Sequence, residues 1–189
     1  CTGKEPVDGA AVVVEGERIK DVIASGKVGP LPGKLDRIDF RGRTLMPGLT
    51  DAHVHVCADE GNIPEQHRHN PPSLSAAKAL RRMEQALMQG FTTVRDAGGA
   101  DYGFREAAES GLYPGPRMLV SGRPLSQTGG HADKRRRSEW IEPVDCCVGM
   151  AGMIADGADE VRKAARENLR HDVDQIKLMA SGGAMSPGD

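Results

Sequence analysis

Residues 44–56 have the sequence TLMPGLTDAHVHV, an extended and largely apolar run that is typical of a strand buried in a parallel sheet. Because side chains alternate along a strand, His53 and His55 point to the same side, roughly 6.5–7 Å apart along the backbone. Two imidazoles on one face can converge on a metal ion, and parallel α/β folds place their sites at the carboxyl ends of strands. We therefore predict that His53 and His55 are metal ligands, with a chance HxH pair in a strand as the alternative.

Strands and helices alternate on the carboxyl side of this run. We expect further strands at residues 91–96, 117–121 and 173–180, helices at 73–89, 102–110 and 158–170, and loops at 57–72 and 122–157. Strands that alternate with helices favour a parallel sheet with right-handed crossovers, which places the chain in the α/β class.

End signals and apolar spacing support the helix predictions. Ser73 is the expected N-cap of the first helix, and Gly90 lies at its C′ position. In the last helix, Val161, Ala165 and Leu169 follow at i, i+4 and i+8, so we expect these three side chains to face the core.

The start of the chain has a different pattern. Residues 11–24 predict a β-hairpin, because Val12–Val14 is β-branched and Glu15–Glu17 supplies a turn. We therefore expect residues 1–45 to be a small β segment without chemistry of its own, and residues 46–189 to carry the site. The chain has 189 residues, whereas a complete eight-stranded parallel barrel takes about 250.

A lysine interrupts the last predicted strand. Lys177 stands in an otherwise apolar run, where a buried amine is costly and is normally neutralised or paired. A neutral lysine amine can react with carbon dioxide to form a carbamate, an anionic oxygen ligand that can bridge two metal ions. The alternatives are that Lys177 reaches solvent from a strand edge or pairs with Asp174. Together with the HxH pair, Lys177 is better explained as a metal ligand.

Composition limits the classes of partner. The 25 Lys and Arg residues nearly balance the 27 Asp and Glu residues, so there is no electrostatic case for nucleic acid or an acidic membrane surface. No apolar run approaches the roughly 18 residues that span a bilayer. The four cysteines form neither a zinc-type CxxC pair nor a small-domain disulfide framework. The chain starts at Cys1 without a Met, so a signal peptide stays open, and the cytoplasm is the favoured compartment.

Several stretches resemble one enzyme superfamily. Leu45–His55 resembles the opening-strand signature of the amidohydrolase superfamily, and Ile176–Gly183 resembles its fourth-strand lysine motif. Thr93–Asp96 and Gly129–His131 resemble the imidazolonepropionase-like and Xaa-Pro-dipeptidase-like branch. The similarity runs over nearly the whole chain, and the pairing of the first two motifs is highly specific.

The resemblance implies a fold and a metal site. The superfamily has a TIM-type (β/α)₈ barrel with one or two divalent metal ions, usually zinc. By this resemblance residues 1–45 are part of a composite β-sandwich and residues 46–189 are the first four strands of a partial barrel. His53 and His55 would bind the more buried metal, and carbamylated Lys177 would bridge to the second. The remaining ligands, two histidines and an aspartate, would follow beyond the end of the chain.

The resemblance also implies a reaction. We expect a metal-dependent hydrolase in which a metal-activated hydroxide attacks a C–N bond of a small amide or dipeptide, such as an Xaa-Pro dipeptide or an N-acyl amino acid. Lys177 and His131 are the expected catalytic residues. His131 could donate a hydrogen bond to the substrate's carbonyl or carboxylate, or it could be an exposed loop histidine.

Other functions stay open at this point. The alternatives are a deaminase or cyclic-amide hydrolase of the same superfamily, or a non-catalytic barrel or half-barrel binding protein. Lys177 argues against the mononuclear deaminases, which usually lack it. Because half a barrel leaves open sheet edges, we expect the 189-residue chain to be inactive alone and unstable. We separately expect the full-length protein to be a homo-oligomer.

Three further groups of polar residues have simpler predicted roles. Arg95 and Asp96, at the end of a strand, could form an ion pair behind the site, but a structural role is the preferred interpretation for both. The basic run Lys134–Arg137 is expected to be a solvated loop face. His67 and His69 form a second HxH pair, but they lie in a predicted polar loop that would not set their geometry, so we do not predict a metal site there.

Overall fold

A computed structural model describes residues 5–27, 29, 35–58, 61, 63–140 and 149–183. The chain divides into two units, Cys1–Pro47 and Gly48–Asp189. In the first unit β1 (Ala11–Glu15) and β2 (Arg18–Ile23) pair antiparallel. Gly16 adopts a φ of 61° at the turn between them, a conformation that glycine adopts without strain. The predicted hairpin is confirmed.

The second unit alternates strands and helices. Its elements in chain order are β3 (Leu49–Val54), α1 (Ile63–His69), α2 (Pro72–Met88), β4 (Phe91–Asp96), α3 (Tyr102–Glu109), β5 (Arg117–Leu119), β6 (Leu125–Ser126), β7 (Met153–Ile154) and α4 (Gly157–Arg170). β3, β4 and β5 form a parallel sheet in that order, and β6 and β7 form a second parallel pair. The mixed α/β class is therefore confirmed.

Apolar side chains between α2 and the three-stranded sheet make the larger core. Met83 of α2, Val94 of β4 and Met118 of β5 are almost fully buried in one cluster. A smaller cluster packs α4 against β6 through Leu125 and Ala164. Burial on one side of each helix is what the apolar spacing predicts. The packing holds the carboxyl ends of β3, β4 and β5 side by side.

Two predictions about helix ends and loops are wrong. Residues 57–72 are not a loop throughout, because α1 occupies Ile63–His69. The N-cap of α2 is Pro71 rather than Ser73, since a proline at the first helical position already has the helical φ and begins the helix earlier. Gly90 does follow the helix, with a φ of 95°.

The face that α4 buries is also shifted from the prediction. Val161 and Ala165 pack against the smaller cluster, but Leu169 is 57% exposed. Ala164 and Asn168 are buried instead. The Asn168 side chain donates to the carbonyl of Arg123 at 2.7 Å, which satisfies its buried amide group.

The predicted strand at 173–180 is reduced to a single bridge. Among the described residues of this segment, only Leu178 pairs, parallel to Leu125. The Leu125 amide donates to the Lys177 carbonyl and the Met179 amide donates to the Leu125 carbonyl, both at 2.9 Å. The hydrogen bonds between this segment and β6 do not continue into a longer strand pair, because β6 is only two residues long. The loop expected at 122–157 contains β6 and β7, and its residues 141–148 lie outside the described residues.

Candidate active site

The two histidines of the HxH pair lie together at the carboxyl end of β3. Their ring centroids are 5.2 Å apart and the ring planes are at 77° to each other. His55 is half-buried and His53 is exposed. Two imidazoles at this distance can share one ligand between them.

A backbone hydrogen bond sets the tautomer of His55. Its Nδ1 lies 3.0 Å from the carbonyl oxygen of Gly98, in the loop after β4. A carbonyl only accepts, so Nδ1 carries the proton and Nε2 keeps its lone pair. In metal-ligating histidines, the ring nitrogen that does not bind the metal donates a hydrogen bond in the same way, to a carboxylate, a backbone carbonyl or water.

The Asp96 side chain accepts hydrogen bonds from both loops that meet at the His55–Gly98 contact. The side chain is fully buried. One carboxylate oxygen accepts from the Val56 amide at 2.8 Å, and the other accepts from the amides of Gly98 (2.9 Å) and Ala100 (3.2 Å). Burial raises the pKa of Asp96, although these three amides oppose the shift. Asp96 thus joins the segment after His55 to the Gly98 carbonyl that orients the ring.

The predicted ion pair between Arg95 and Asp96 is wrong. The side chains of neighbouring strand residues point to opposite faces, so Asp96 enters the core while Arg95 stays exposed. Arg95 Nε donates instead to the carbonyl of Ala52 at 2.7 Å, in β3. The preferred expectation of a structural role is confirmed for Asp96, but the three backbone amides that it binds were not foreseen. An aspartate followed closely by two glycines at a strand end was the signal that could have revealed them.

Lys177 lies near the HxH pair but is only half-buried. Burial lowers the pKa of His53, and the positive charge of Lys177 is the next contribution. The alternative pairing with Asp174 is wrong. Asp174 accepts from Arg105 of α3 at 3.0 Å and from the Val120 amide, just after β5, at 2.7 Å. These two hydrogen bonds fix the Lys177 segment at the carboxylate of Asp174.

A side-chain hydrogen bond joins the Lys177 segment to the end of β4. The side-chain amide of Gln175 donates to the main-chain carbonyl of Asp96 at 3.0 Å. Gln175 therefore links the lysine segment to the residue that orders the loops around His55. Sequence spacing alone does not indicate such a contact, because the two residues are 79 positions apart.

His131 lies beside the end of the Lys177 segment. Its ring is half-buried and lies against Gly183, where an added Cβ would be 2.9 Å from His131 Cε1. Only glycine leaves room for the ring at that position. The main-chain carbonyl of His131 accepts from Lys134 Nζ at 2.9 Å. His131 thus lies against the glycine that ends the Lys177 motif, and His53 and Lys177 are close enough for their charges to interact.

The prediction of a solvated basic run is wrong for Lys134 and Arg135, whereas Arg136 and Arg137 are exposed as predicted. Lys134 is buried, and burial lowers its pKa. Arg135 Nε donates to Asp133 at 2.8 Å, and Arg136 forms an ion pair with Glu65 of α1. The run is thus tied to neighbouring groups by ion pairs and hydrogen bonds, although Arg136 also stays exposed to water.

The donor set fits part of a divalent-metal site. A metal ligand must be a neutral imidazole, and the lowered pKa of His53 favours that form. His55 presents Nε2 by its tautomer, and Lys177 lies close enough for its charge to act on His53. Across the described ranges, no three His, Cys, Asp or Glu side chains converge as a metal cluster. His53 and His55, with Lys177, are the donors that this part of the chain offers.

None of the helices in the described part of the chain has the length and apolar character needed to cross a membrane.

Comparisons with known proteins agree with this geometry. Residues 44–188 match the amidohydrolase family. The chain is 34% identical to an ochratoxinase of Aspergillus niger over 98% of its own length, which is 41% of the ochratoxinase. It superposes with a TM-score of 0.83 on the crystal structure of an amidohydrolase at 50% identity, covering 94% of this chain and 43% of the other.

A prolidase structure is similar to the same degree. That crystal structure, of a prolidase complexed with N-methylphosphonate-L-proline, has a TM-score of 0.84 and 44% identity and covers 95% of this chain and 44% of the prolidase. The chain thus spans less than half the length of each of these proteins. The predicted family and its dipeptidase-like branch are confirmed.

Proposed function

Since this chain belongs to the amidohydrolase family, we propose that it is the N-terminal part of a metal-dependent hydrolase that cleaves an amide or peptide-like C–N bond. The observation that carries the proposal is the pair of convergent imidazoles, His53 and His55, with the His55 tautomer set by Gly98. The partial barrel that we propose has three paired strands, with the Lys177 segment in the fourth strand's place.

The chain's residues have separate roles in this proposal. His53 and His55 would hold a divalent ion such as zinc through neutral ring nitrogens, and Lys177 as a carbamate would supply oxygen ligands toward a second ion. Bound there, the metal supplies Lewis acidity, which lowers the pKa of water and polarises a carbonyl. His131 would donate a hydrogen bond to the substrate from the loop opposite the lysine segment.

The proposed substrates are Xaa-Pro dipeptides and N-acyl amino acids, in which the scissile amide stands next to a carboxylate. Similarity to a prolidase solved with an N-methylphosphonate-L-proline ligand supports this class. The half-buried His131 offers a ring donor from its loop, which suits a small substrate that carries a carboxylate.

The test uses the full-length protein that contains this chain. We expect it to release free amino acids from a panel of Xaa-Pro dipeptides and N-acyl amino acids, to lose this activity on chelation and to recover it with Zn²⁺. The His55→Ala variant should retain only background hydrolysis, because the removed ring nitrogen is a ligand. His69→Ala, which removes an exposed histidine of α1, is the matched control.

Two results would contradict the proposal. One is a His55→Ala variant as active as His69→Ala. The other is no cleavage of the dipeptide and N-acyl amino acid panel together with either ammonia release from amine substrates, which would favour a deaminase, or ring opening of cyclic amides without ammonia, which would favour a cyclic-amide hydrolase.

A further inference from the structure

A cluster of charged side chains joins α1 to the loop that carries His131. We call Glu65, Arg68, Arg136 and Glu139 the α1 clasp. Arg68 donates to Glu65 at 3.1 Å and to Glu139 at 2.5 Å. Arg136 pairs with Glu65 through its side chain, and its amide donates to Glu139 at 2.7 Å. Two residues of the helix are thus fastened to two residues of the loop.

The clasp reaches His131 through the main chain. Arg68 Nη2 also donates to the carbonyl of Lys134 at 3.1 Å. Lys134 Nζ in turn donates to the carbonyl of His131 at 2.9 Å. Asp133 closes the loop by accepting from the Gly129 amide at 2.9 Å. The position of His131 therefore depends on a chain of contacts that begins at Arg68.

Burial makes the central pair stronger than an ordinary surface pair. The Arg68 side chain is 12% exposed and Glu139 is 24% exposed, whereas the Arg170 and Glu167 side chains of α4 are 63% and 45% exposed. Salt screens a partly buried pair much less than an exposed one. A guanidinium holds two carboxylates and a carbonyl through five donors in a fixed planar fork, whereas a lysine has three donors on a single nitrogen.

We propose that Arg68 is a positioning residue that holds the 129–139 loop against α1 and so places His131 beside the metal ligands. The inference rests on the proposed function, because it gives His131 its contact with the substrate. α1 follows the HxH strand, so the clasp couples the loop to the element that carries His53 and His55. Arg68 itself does not need to touch the substrate.

The experiment compares variants of the full-length protein by hydrogen exchange and by kinetics. Arg68→Gln should speed amide exchange in residues 129–139 by at least about 10-fold, because the loop opens locally, and leave β3, β4 and β5 unchanged. It should raise KM for the dipeptide several-fold more than it lowers kcat. Arg68→Lys should recover part of the protection, and Glu139→Gln provides a milder second variant if Arg68→Gln folds poorly. Arg170→Gln, which removes an exposed pair on α4, is the matched control.

The outcomes separate the clasp from the proposed function. Unchanged loop exchange in both Arg68→Gln and Glu139→Gln overturns the inference. Faster exchange with KM and kcat both as in the control overturns its second half, that the loop places His131 at the substrate. A wild-type protein without hydrolase activity refutes the proposed function, while the exchange data still decide whether Arg68 holds the loop.

Discussion

At the scale of single residues, one buried carboxylate controls the state of a proposed metal ligand. Asp96 accepts three backbone amides, and one of them belongs to Gly98, whose carbonyl orients His55. Both carboxylate oxygens are engaged, so a neutral amide side chain cannot replace them. An amide has only one acceptor oxygen, and its NH₂ group would face a backbone donor.

We therefore predict that Asp96→Asn weakens both folding and metal binding. The unsatisfied buried donors should lower the free energy of unfolding by about 1–3 kcal/mol. Loss of the His55 orientation should lower Zn²⁺ affinity about 10–100-fold. Urea denaturation and competition with a chelator measure the two effects in the full-length protein. Asp101→Asn is the control, because Asp101 caps α3 and Asn caps equally well. Unchanged Zn²⁺ affinity in Asp96→Asn would show that His55 is oriented without it.

A second residue-scale effect concerns His67 of α1. The residue is half-buried, and its Nε2 has no hydrogen-bond partner among the described residues. Burial lowers the pKa of His67 below its ordinary value of 6.5, and Arg68 and Lys134 lower it further, while Glu65 and Glu139 oppose the shift. The folded protein therefore favours the neutral ring.

The sign of this shift predicts a loss of stability in acid. Above pH 6.5 His67 is neutral in both states, and below it the unfolded chain takes up the proton more readily. The contribution of the neutral His67 ring to the free energy of unfolding is therefore fully present above pH 6.5. It is lost as the pH falls through the lower pKa of His67 in the folded protein. We expect His67→Gln to reduce the drop in urea midpoint between pH 7.5 and 5.5. His69→Gln, on the exposed side of α1, should leave that drop as in the wild type; an equal effect of both variants would contradict the assignment.

At the scale of elements, β3 begins where its backbone lies very close to β4. A Cβ built on Gly48 would be 2.0 Å from Oγ1 and 2.6 Å from Cβ of Thr92. The Leu49 amide donates to the Gly90 carbonyl at 2.8 Å at the same place. No side chain fits between the two strands, so the start of the HxH strand requires a glycine.

Gly48→Ala should accordingly be destabilising. Forcing a methyl group into this contact separates β3 from β4, and overpacking of this kind costs about 1–3 kcal/mol. Thermal or urea denaturation measures the change. Gly61→Ala is the control, because a Cβ there meets no described atom within 4 Å. Equal stability of the two variants would mean that β3 can shift without penalty.

At the scale of the whole molecule, the described residues hold part of the proposed barrel and part of the proposed metal site. It spans 41% of the ochratoxinase and 44% of the prolidase to which it is similar. In the described ranges, β3 has a strand neighbour on one side only, and the metal donors are two histidines and a lysine. The unpaired parallel edge and the small number of proposed metal donors are the reasons to expect that this chain does not form a working site by itself.

We predict that the 189-residue chain purified by itself does not hydrolyse Xaa-Pro dipeptides or N-acyl amino acids, with or without added Zn²⁺. The full-length protein, assayed at the same concentration and Zn²⁺ loading, is the control. Metal-dependent hydrolysis by the 189-residue chain alone would refute the prediction and mean that His53, His55 and Lys177 suffice.

The sequence by itself determined the features that depend on the spacing of residues along a strand or helix and on residue type. Alternation along a strand places His53 and His55 on one side, and helical spacing located α2, α3 and α4 close to their observed bounds. The motif of Lys177 was recognisable by its resemblance to a known family motif rather than by its spacing. Such patterns need only a few neighbouring residues, so they can be read without knowing what packs against them.

The tertiary structure alone decided which distant residues support that site. Asp96 and Val56 are 40 positions apart, and Arg68 and Glu139 are 71 apart, so no local pattern predicts either contact. The same holds for the lysine segment, where the short neighbouring β6 leaves one bridge instead of a strand. The chemistry-bearing residues are a property of the sequence, whereas their orientation depends on partners that only the fold brings near.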